Sequence, residues 1–387
     1  MTPPGNRPAP AAGPADLIDR AVAAGVVPGA VLAAGLAWPG VAGNTGGGAE
    51  PLLLHVAGDA QRDDTARRPM TADTVFDLAS LTKVTATLPC LLYLIGRGDV
   101  GLDQPAQRYL PEFAGAGKDR VTVRQLLSHV SGLPAERTYY QWLHDPAEVR
   151  SAALAEPLAA APGTEVCYSD VGFIVAGEVA ATVAGCGLGE LAREVVFGPL
   201  GMSSTGYLPP PRWASRIAAT EVVGGSAGNR AKVGVVHDEN AEVLGGVAGH
   251  AGLFGTAADL ARYAAAWAGN WNSGGIVLTG QAGRGPFWGM RAEALRCQTA
   301  GLGGRRGLGW GLRHDRWDNM GDGWPSTGAG HTGFTGTSLS IDPATGLWAV
   351  LLTNAVHFGR GPEHSVVGLR KQVHAAIAAA LPTGPLR

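Results

Sequence analysis

Ser80 and Lys83 stand three residues apart in Ser80-Leu81-Thr82-Lys83, a spacing that puts a hydroxyl and an amine on one face of a helix. A serine hydroxyl is a poor nucleophile until a neighbouring base takes its proton. A desolvated lysine whose pKa falls toward neutrality can do that, and an arginine cannot. Of the 30 lysines and arginines only those at 83, 118, 232 and 371 are lysines, and Lys83 alone has a serine three residues before it. Without context, Ser80 would be a helix cap and Lys83 a solvated charge. The flanks argue otherwise: Thr74 to Ala79 is apolar and strand-like, and the run from Leu88 to Ile95 keeps the following helix in the interior. A lysine at the buried start of such a helix is costly unless it is used or paired.

The elements that must position this pair belong to a chain of 387 residues, 45% hydrophobic and 16% charged, which suits a globular enzyme of one or two domains. A formal charge of -2 and no basic cluster argue against a nucleic-acid surface. Met1 to Pro14 is rich in Pro, Ala and Gly and reads as disordered; it lacks a basic start and an apolar core, so a cytoplasmic protein is expected. No apolar run is long enough to span a membrane. Cys90, Cys167, Cys186 and Cys297 lack paired short spacing, so no zinc site, disulfide framework or cofactor is expected.

Ala15 to Ala24 reads as a helix, Gly29 to Leu36 and Leu52 to Ala57 as strands joined by a turn at Gly46 to Gly48, and Ser80 to Gly96 as a helix kinked by Pro89. Val121 to Ser128 opens another helix, and helical patterning continues through Val171 to Val183 and Leu188 to Val196. Gly336 to Ile341 and Leu347 to Thr353 read as strands joined by Asp342 to Gly346, and Val366 to Leu381 as a final helix. The expected class is α+β. Residues 15–80 and 231–387 form a discontinuous sheet domain and 81–230 a mostly helical lobe, with the active site between them.

Two further segments fall in order with the first: Tyr168-Ser169-Asp170 and His331-Thr332-Gly333. Together with Leu126 to Leu133 and Gly245 to Leu253, they give a chain that resembles the serine β-lactamase and penicillin-binding-protein superfamily over roughly residues 25 to 380. The branch is that of class C β-lactamases, D-aminopeptidases, esterases and acyltransferases. The resemblance implies a β-lactamase/transpeptidase-like fold, with a central antiparallel sheet flanked by helices plus a helical lobe. It also implies Ser80 as nucleophile, Lys83 and Tyr168 as the proton-transfer pair, and an oxyanion site made by the backbone amides of Ser80 and Phe334. Gly333 would let substrate approach the strand closely, with His331 and Asp170 on the substrate side. Two residues depart from the family's Lys-Thr-Gly and Tyr-x-Asn patterns. His331 replaces a permanent cation with a group mostly neutral at pH 7, which weakens the case for a penicillin-like carboxylate substrate. Asp170 replaces a neutral amide with a negative charge, able either to pair with Lys83 or to repel anionic substrates.

His129 and His250 read as backbone-bonded histidines, His237 to Asn240 as a pocket-edge loop, and Cys167 as a packing residue. Trp288, Trp310, Trp317 and Trp324 are candidates for an acyl pocket, although core packing is the commoner fate of tryptophan. Gly224 to Gly228 fits Gly-x-Ser-x-Gly but lacks the strand and helix that a nucleophile elbow needs. The expected function is acyl transfer from a small-molecule ester or amide, through acyl-Ser80, to water or to an amine or alcohol acceptor. A dedicated transacylase of secondary-metabolite or antibiotic biosynthesis is the first alternative, and a non-catalytic penicillin-receptor-like regulator the second.

Overall fold

The computed structural model describes residues 12–37, 50–64, 66–224, 230–269 and 289–381. The expected turn at Gly46 to Gly48, Ser226 and Trp288 lie outside them. The first described element is helix α1 (Pro14–Ala23), so Pro14 belongs to a helix. The chain then lays down β1 (Gly29–Leu36), β2 (Leu53–Arg62), β3 (Arg67–Pro69) and β4 (Val75–Asp77). The last third supplies β9 (Gly311–Leu312), β10 (Ala329–Thr332), β11 (Ser338–Ile341) and β12 (Leu347–Thr353). Seven of these strands form one antiparallel sheet in the order β3-β2-β1-β12-β11-β10-β9, so the two ends of the chain meet where β1 pairs with β12, Leu32 opposite Leu351. The α+β class and the central antiparallel sheet flanked by helices are as the sequence leads one to expect.

Both faces of the sheet are covered, which is why its central strands read as unbroken apolar runs. Ala30, Leu32 and Ala34 of β1 pack with α1 and the C-terminal helix Val367–Ala380, and Val31 and Ala33 face the other core. That second face is covered by α8 (Ala257–Ala268), beyond which lie α2 (Leu88–Arg97), α3 (Val123–Leu127), α4 (Pro146–Ala155), α5 (Asp170–Ala184) and α6 (Leu188–Ala192). The short α7 (Glu239–Val243) and the ribbon β6–β7 (Val222–Val223 with Arg230–Ala231) precede β8 (Leu253–Thr256), which β4 and β5 (Gly206–Tyr207) flank.

The helix after Ser80 is irregular just before Pro89: Lys83–Thr87 form one wide π-helical turn that runs directly into α2, of which Pro89 is the second residue. The loop before β8 lies directly on α5 because both sides are glycine: a Cβ on Gly249 would collide with the Phe173 carbonyl, and one on Gly177 would sit 2.8 Å from the Gly249 Cα.

The C-terminal helix carries a pH dependence. His374 is fully buried, its Nδ1 is 2.7 Å from the Arg370 carbonyl, and its ring meets Trp324 edge-on at 5.5 Å. Burial pushes its pKa down to about 4. The unfolded imidazole takes a proton near pH 6.5 and the folded one only near 4, so stability is complete above 6.5 and is lost as pH falls, by on the order of 3 kcal/mol. Chemical denaturation between pH 7 and 4.5 should show this decline, and His374→Phe should flatten it. An unchanged slope in that variant would place the acid sensitivity elsewhere.

Candidate active site

The corner that presents Ser80 is built by a carboxylate. Asp77, at the buried end of β4, accepts the Ala79 amide at 2.8 Å and the His237 amide at 2.6 Å. The first bond holds Ala79 at φ 47°, a left-handed conformation that alanine rarely adopts and that neighbouring contacts must enforce. Thr335 and Thr337, just after β10, donate their hydroxyls to the carbonyls of Asp77 and Leu78, tying the corner to the sheet.

Lys83 is wholly buried and surrounded by oxygens: Ser80 Oγ at 2.9 Å, the His250 carbonyl at 3.0 Å and Asp170 Oδ1 at 2.6 Å. Burial by itself would lower its pKa, but the Asp170 carboxylate and the hydrogen-bonded Tyr168 phenol outweigh burial and hold it above the ordinary value. This corrects the expectation of a lysine made neutral by desolvation: Lys83 is a buried ammonium, and of the two fates open to Asp170 the structure takes the ion pair. The ammonium lies 5.0 Å from the centre of the Tyr168 ring. That ring also stacks on His129 at 4.5 Å, and His129 Nδ1 accepts the Ser169 amide at 3.0 Å. Burial, then the cations Arg306 and Lys83, push His129 well below the usual histidine range, so it stays neutral. Ser169 caps α5 through its Oγ, and Asp170 is the first residue of that helix, where a negative charge is favourable.

Across the cleft, the backbone amides of Ser80 and Phe334 donate to no other group among the described residues. They are therefore available to an oxyanion. Gly333 closes the gap between them: a Cβ there would sit 2.5 Å from the Leu78 carbonyl and collide with Thr337 Oγ1. Arg370 Nη2 fixes the same stretch by donating to the carbonyls of Gly333 (2.7 Å) and Thr337 (2.9 Å). Gly333→Ala should push β10 away from the Ser80 corner and lower kcat by about 100-fold, the cost of one misplaced oxyanion donor. A folded variant with normal kcat would remove the Phe334 amide from that role.

His331 is buried on β10, and burial followed by the charges of Lys83 and Arg306 pushes it well below the ordinary histidine value. Its Nδ1 is 2.9 Å from the Thr332 carbonyl. It is neutral, as its type suggested. His250 gives its carbonyl to Lys83 and its Nε2 to Asp238 at 2.9 Å, so it holds the lysine in place, which its glycine-rich setting did not disclose. His237 to Asn240 does edge the pocket: His237 stacks on the exposed Phe334 ring at 5.7 Å, and Arg360 lies 5.8 Å from that ring.

A cavity of about 670 Å³ opens at Ser80, lined also by Tyr168, Asp170, Asp238 and Phe334. A second, of about 590 Å³, shares Ala135, Tyr168 and Thr332 with it and runs past His331 to Arg306 and Trp317. Trp310 and Trp324 are core residues, which leaves Trp317 at the second cavity. Cys167 lines that cavity too, and burial pushes its thiol above the ordinary value, unlike an activated nucleophile. Among the described residues no three His, Cys, Asp or Glu side chains gather as a metal site. Sequence reasoning missed Asp77, Arg306 and Arg370, and it placed Asp238 at the pocket edge without its bond to His250. An acid ending an apolar strand was a usable signal for Asp77; nothing in their spacing marked the others.

A family model described as Beta-lactamase matches residues 15–368. A protein of Escherichia coli (strain K12) named "Putative D-alanyl-D-alanine carboxypeptidase" is 30% identical over 317 residues, 74% of this chain and 70% of its own. The N-acetylmuramyl-L-alanine amidase of Bacillus subtilis (strain 168) is 31% identical over 368 residues, 88% of this chain and 80% of its own. The solved structure of EstCE1, a hydrolase with promiscuous acyltransferase activity, has the same fold, with a TM-score of 0.66 at 23% identity over 92% of this chain and 96% of that one. A match running from the first helix into the last, shared with relatives that keep close to a third of their residues in common with it, makes this chain a member of the beta-lactamase family of serine hydrolases.

Proposed function

We propose that the protein takes an acyl group from a small ester or amide onto Ser80 and passes it to water or to an amine or alcohol. The observation that carries this is Ser80 Oγ hydrogen-bonded to the Lys83 ammonium at the mouth of a cavity that also receives two unengaged amides. In the first half-reaction the Lys83 ammonium hands a proton to the Asp170 carboxylate 2.6 Å away, and the freed amine, with Tyr168 beside it, takes the Ser80 proton as the Ser80 oxygen bonds to the acyl carbon. The tetrahedral oxyanion rests on the amides of Ser80 and Phe334. The bond to the leaving oxygen or nitrogen then breaks, and the proton goes to that atom. The second half-reaction is the reverse with the acceptor in the leaving group's place. Asp170 is the counter-ion of Lys83 before and after each half-reaction.

Two cavities meeting at Tyr168 favour a reading in which the acceptor has its own seat, as in a transacylase. The test is intact-protein mass after brief mixing with small methyl and aryl esters, with and without an added amine, followed by peptide mapping. We expect an acyl adduct on the Ser80 peptide. Decay hastened by amine, with amide product, means transfer; decay indifferent to amine means hydrolysis. An adduct on another residue, or turnover with none, would overturn the assignment.

A further inference from the structure

Asp77 is 2% exposed, and among the described residues no lysine or arginine pairs with its carboxylate. Burial raises its pKa, and the amides of His237 and Ala79 offset part of that rise. A carboxylate buried without a cation is expensive unless its hydrogen bonds matter to something else. It lies outside the proton path, which runs through Lys83, Asp170 and Tyr168. What it does have is one backbone amide on each oxygen, Ala79 at 2.8 Å on Oδ1 and His237, 160 residues further along the chain, at 2.6 Å on Oδ2.

Each of these bonds leads to one of the two unengaged amides. Oδ1 holds Ala79 in its left-handed conformation, and the next amide in the chain is that of Ser80. Oδ2 holds the backbone of His237, whose ring stacks on Phe334 with the planes 20° apart. The Asp77 carbonyl takes the Thr335 hydroxyl at 2.8 Å, so the residue after Phe334 is tied to Asp77 as well. The Phe334 side chain is 61% exposed, and burial alone would not fix where its amide sits. Asparagine could not do the same work. It accepts only on its oxygen, and its NH2 would face one of the two amide N–H groups.

We propose that Asp77 is a positioning residue for acyl transfer: one carboxylate sets both oxyanion donors, the Ser80 amide through the left-handed Ala79 and the Phe334 amide through His237 and the ring stacked on it. This rests on the acyl-Ser80 reading above and deepens it. Ala79 is the sensitive link. An alanine relaxes out of the left-handed region once nothing holds it there, and the Ser80 amide turns with it. Losing the Oδ1 bond therefore misdirects a donor without touching the serine hydroxyl, the lysine or the walls that bind substrate.

The test follows turnover of phenyl acetate in Asp77→Asn, with and without Ala79→Gly. Asp77→Asn should lower kcat and kcat/KM together by about 100-fold, the cost of one misplaced oxyanion donor, and leave KM little moved. Adding Ala79→Gly should return about 10-fold of that, because glycine enters the left-handed region without the penalty that alanine carries. A carboxylate that merely stabilised the fold would lower the melting temperature, but a glycine at 79 would not bring kcat back. Phenylboronic acid turns tetrahedral on Ser80 Oγ and mimics the oxyanion, so its affinity should fall in step with kcat/KM. Should Asp77→Asn fail to fold, Ala79→Val decides: it keeps the carboxylate, but a β-branched side chain resists the left-handed conformation, and kcat should drop by at least about 10-fold. Near-normal kcat in folded Asp77→Asn or Ala79→Val, or a combined variant no faster than Asp77→Asn, would overturn the proposal. A wild-type protein that takes neither acetyl nor boronate on Ser80 would instead sink the acyl-enzyme reading, and this proposal with it.

Discussion

Ser80→Ala is expected to lower turnover of any accepted ester by about 10⁵-fold or more, the scale on which serine hydrolases lose their nucleophile. The fold should survive the change. The hydroxyl is one of four oxygens around the Lys83 ammonium, and Asp170 at 2.6 Å, the His250 carbonyl at 3.0 Å and the Tyr168 phenol remain when it is gone. The corner itself is held by Asp77, which does not touch the Ser80 side chain. Melting temperature and the mass of the protein after ester treatment are the two readouts: near-normal melting with no adduct is the expected pair. A well-folded Ser80→Ala protein that still turns over ester would end the assignment of Ser80.

Lys83→Arg should be almost as damaging as Lys83→Met, with a loss of about 10³-fold in acyl-enzyme formation for either, within the range that a misplaced proton-transfer group produces. Charge is not what arginine lacks here. The lysine nitrogen is a single point with no exposure, reached by oxygens from Ser80, the loop before β8, Tyr168 and the start of α5. A planar fork cannot put one nitrogen at that point without moving its walls. Methionine fills the space but leaves the Asp170 carboxylate with no cation, and breaking a buried pair from one side costs about 3 to 5 kcal/mol. Lys83→Met should therefore also lower the melting temperature, whereas the double change Lys83→Met/Asp170→Asn should recover most of the stability and none of the activity. Retention of more than a tenth of wild-type activity in Lys83→Arg would remove Lys83 from the proton path.

The Ser80–Lys83 pair was legible because its contact is local: a serine and a lysine one turn apart need only a helix to meet. Strands β1 and β12 were legible to the residue for a related reason, since a strand buried on both faces is an apolar run with sharp ends. The protonation state of Lys83 was not legible, because it depends on a carboxylate at the start of α5 that only the packing of two glycines, Gly177 and Gly249, brings into register with the His250 carbonyl. The π turn ahead of Pro89 was not legible, because such a turn has no signature in residue type. Arg306, Asn319 and His331 are ordinary polar residues in the sequence and become one wall only when the segments around β9 and β10 fold together.

The wide turn at Lys83–Thr87 has a consequence for how the chain tolerates changes in length. An α-helix advances about 100° per residue, and a π turn holds one residue more than an α turn, so the helix beyond it is offset by about that angle. Lys83 faces the oxygens of the cleft while Leu88, Leu91 and Leu92 pack in the core, and the wide turn sets the angle between them. The extra residue sets the angular phase between reactive group and scaffold. Removing one residue between Lys83 and Leu88 would leave every side chain type in place and still turn either the ammonium or the leucine stripe away from its partner.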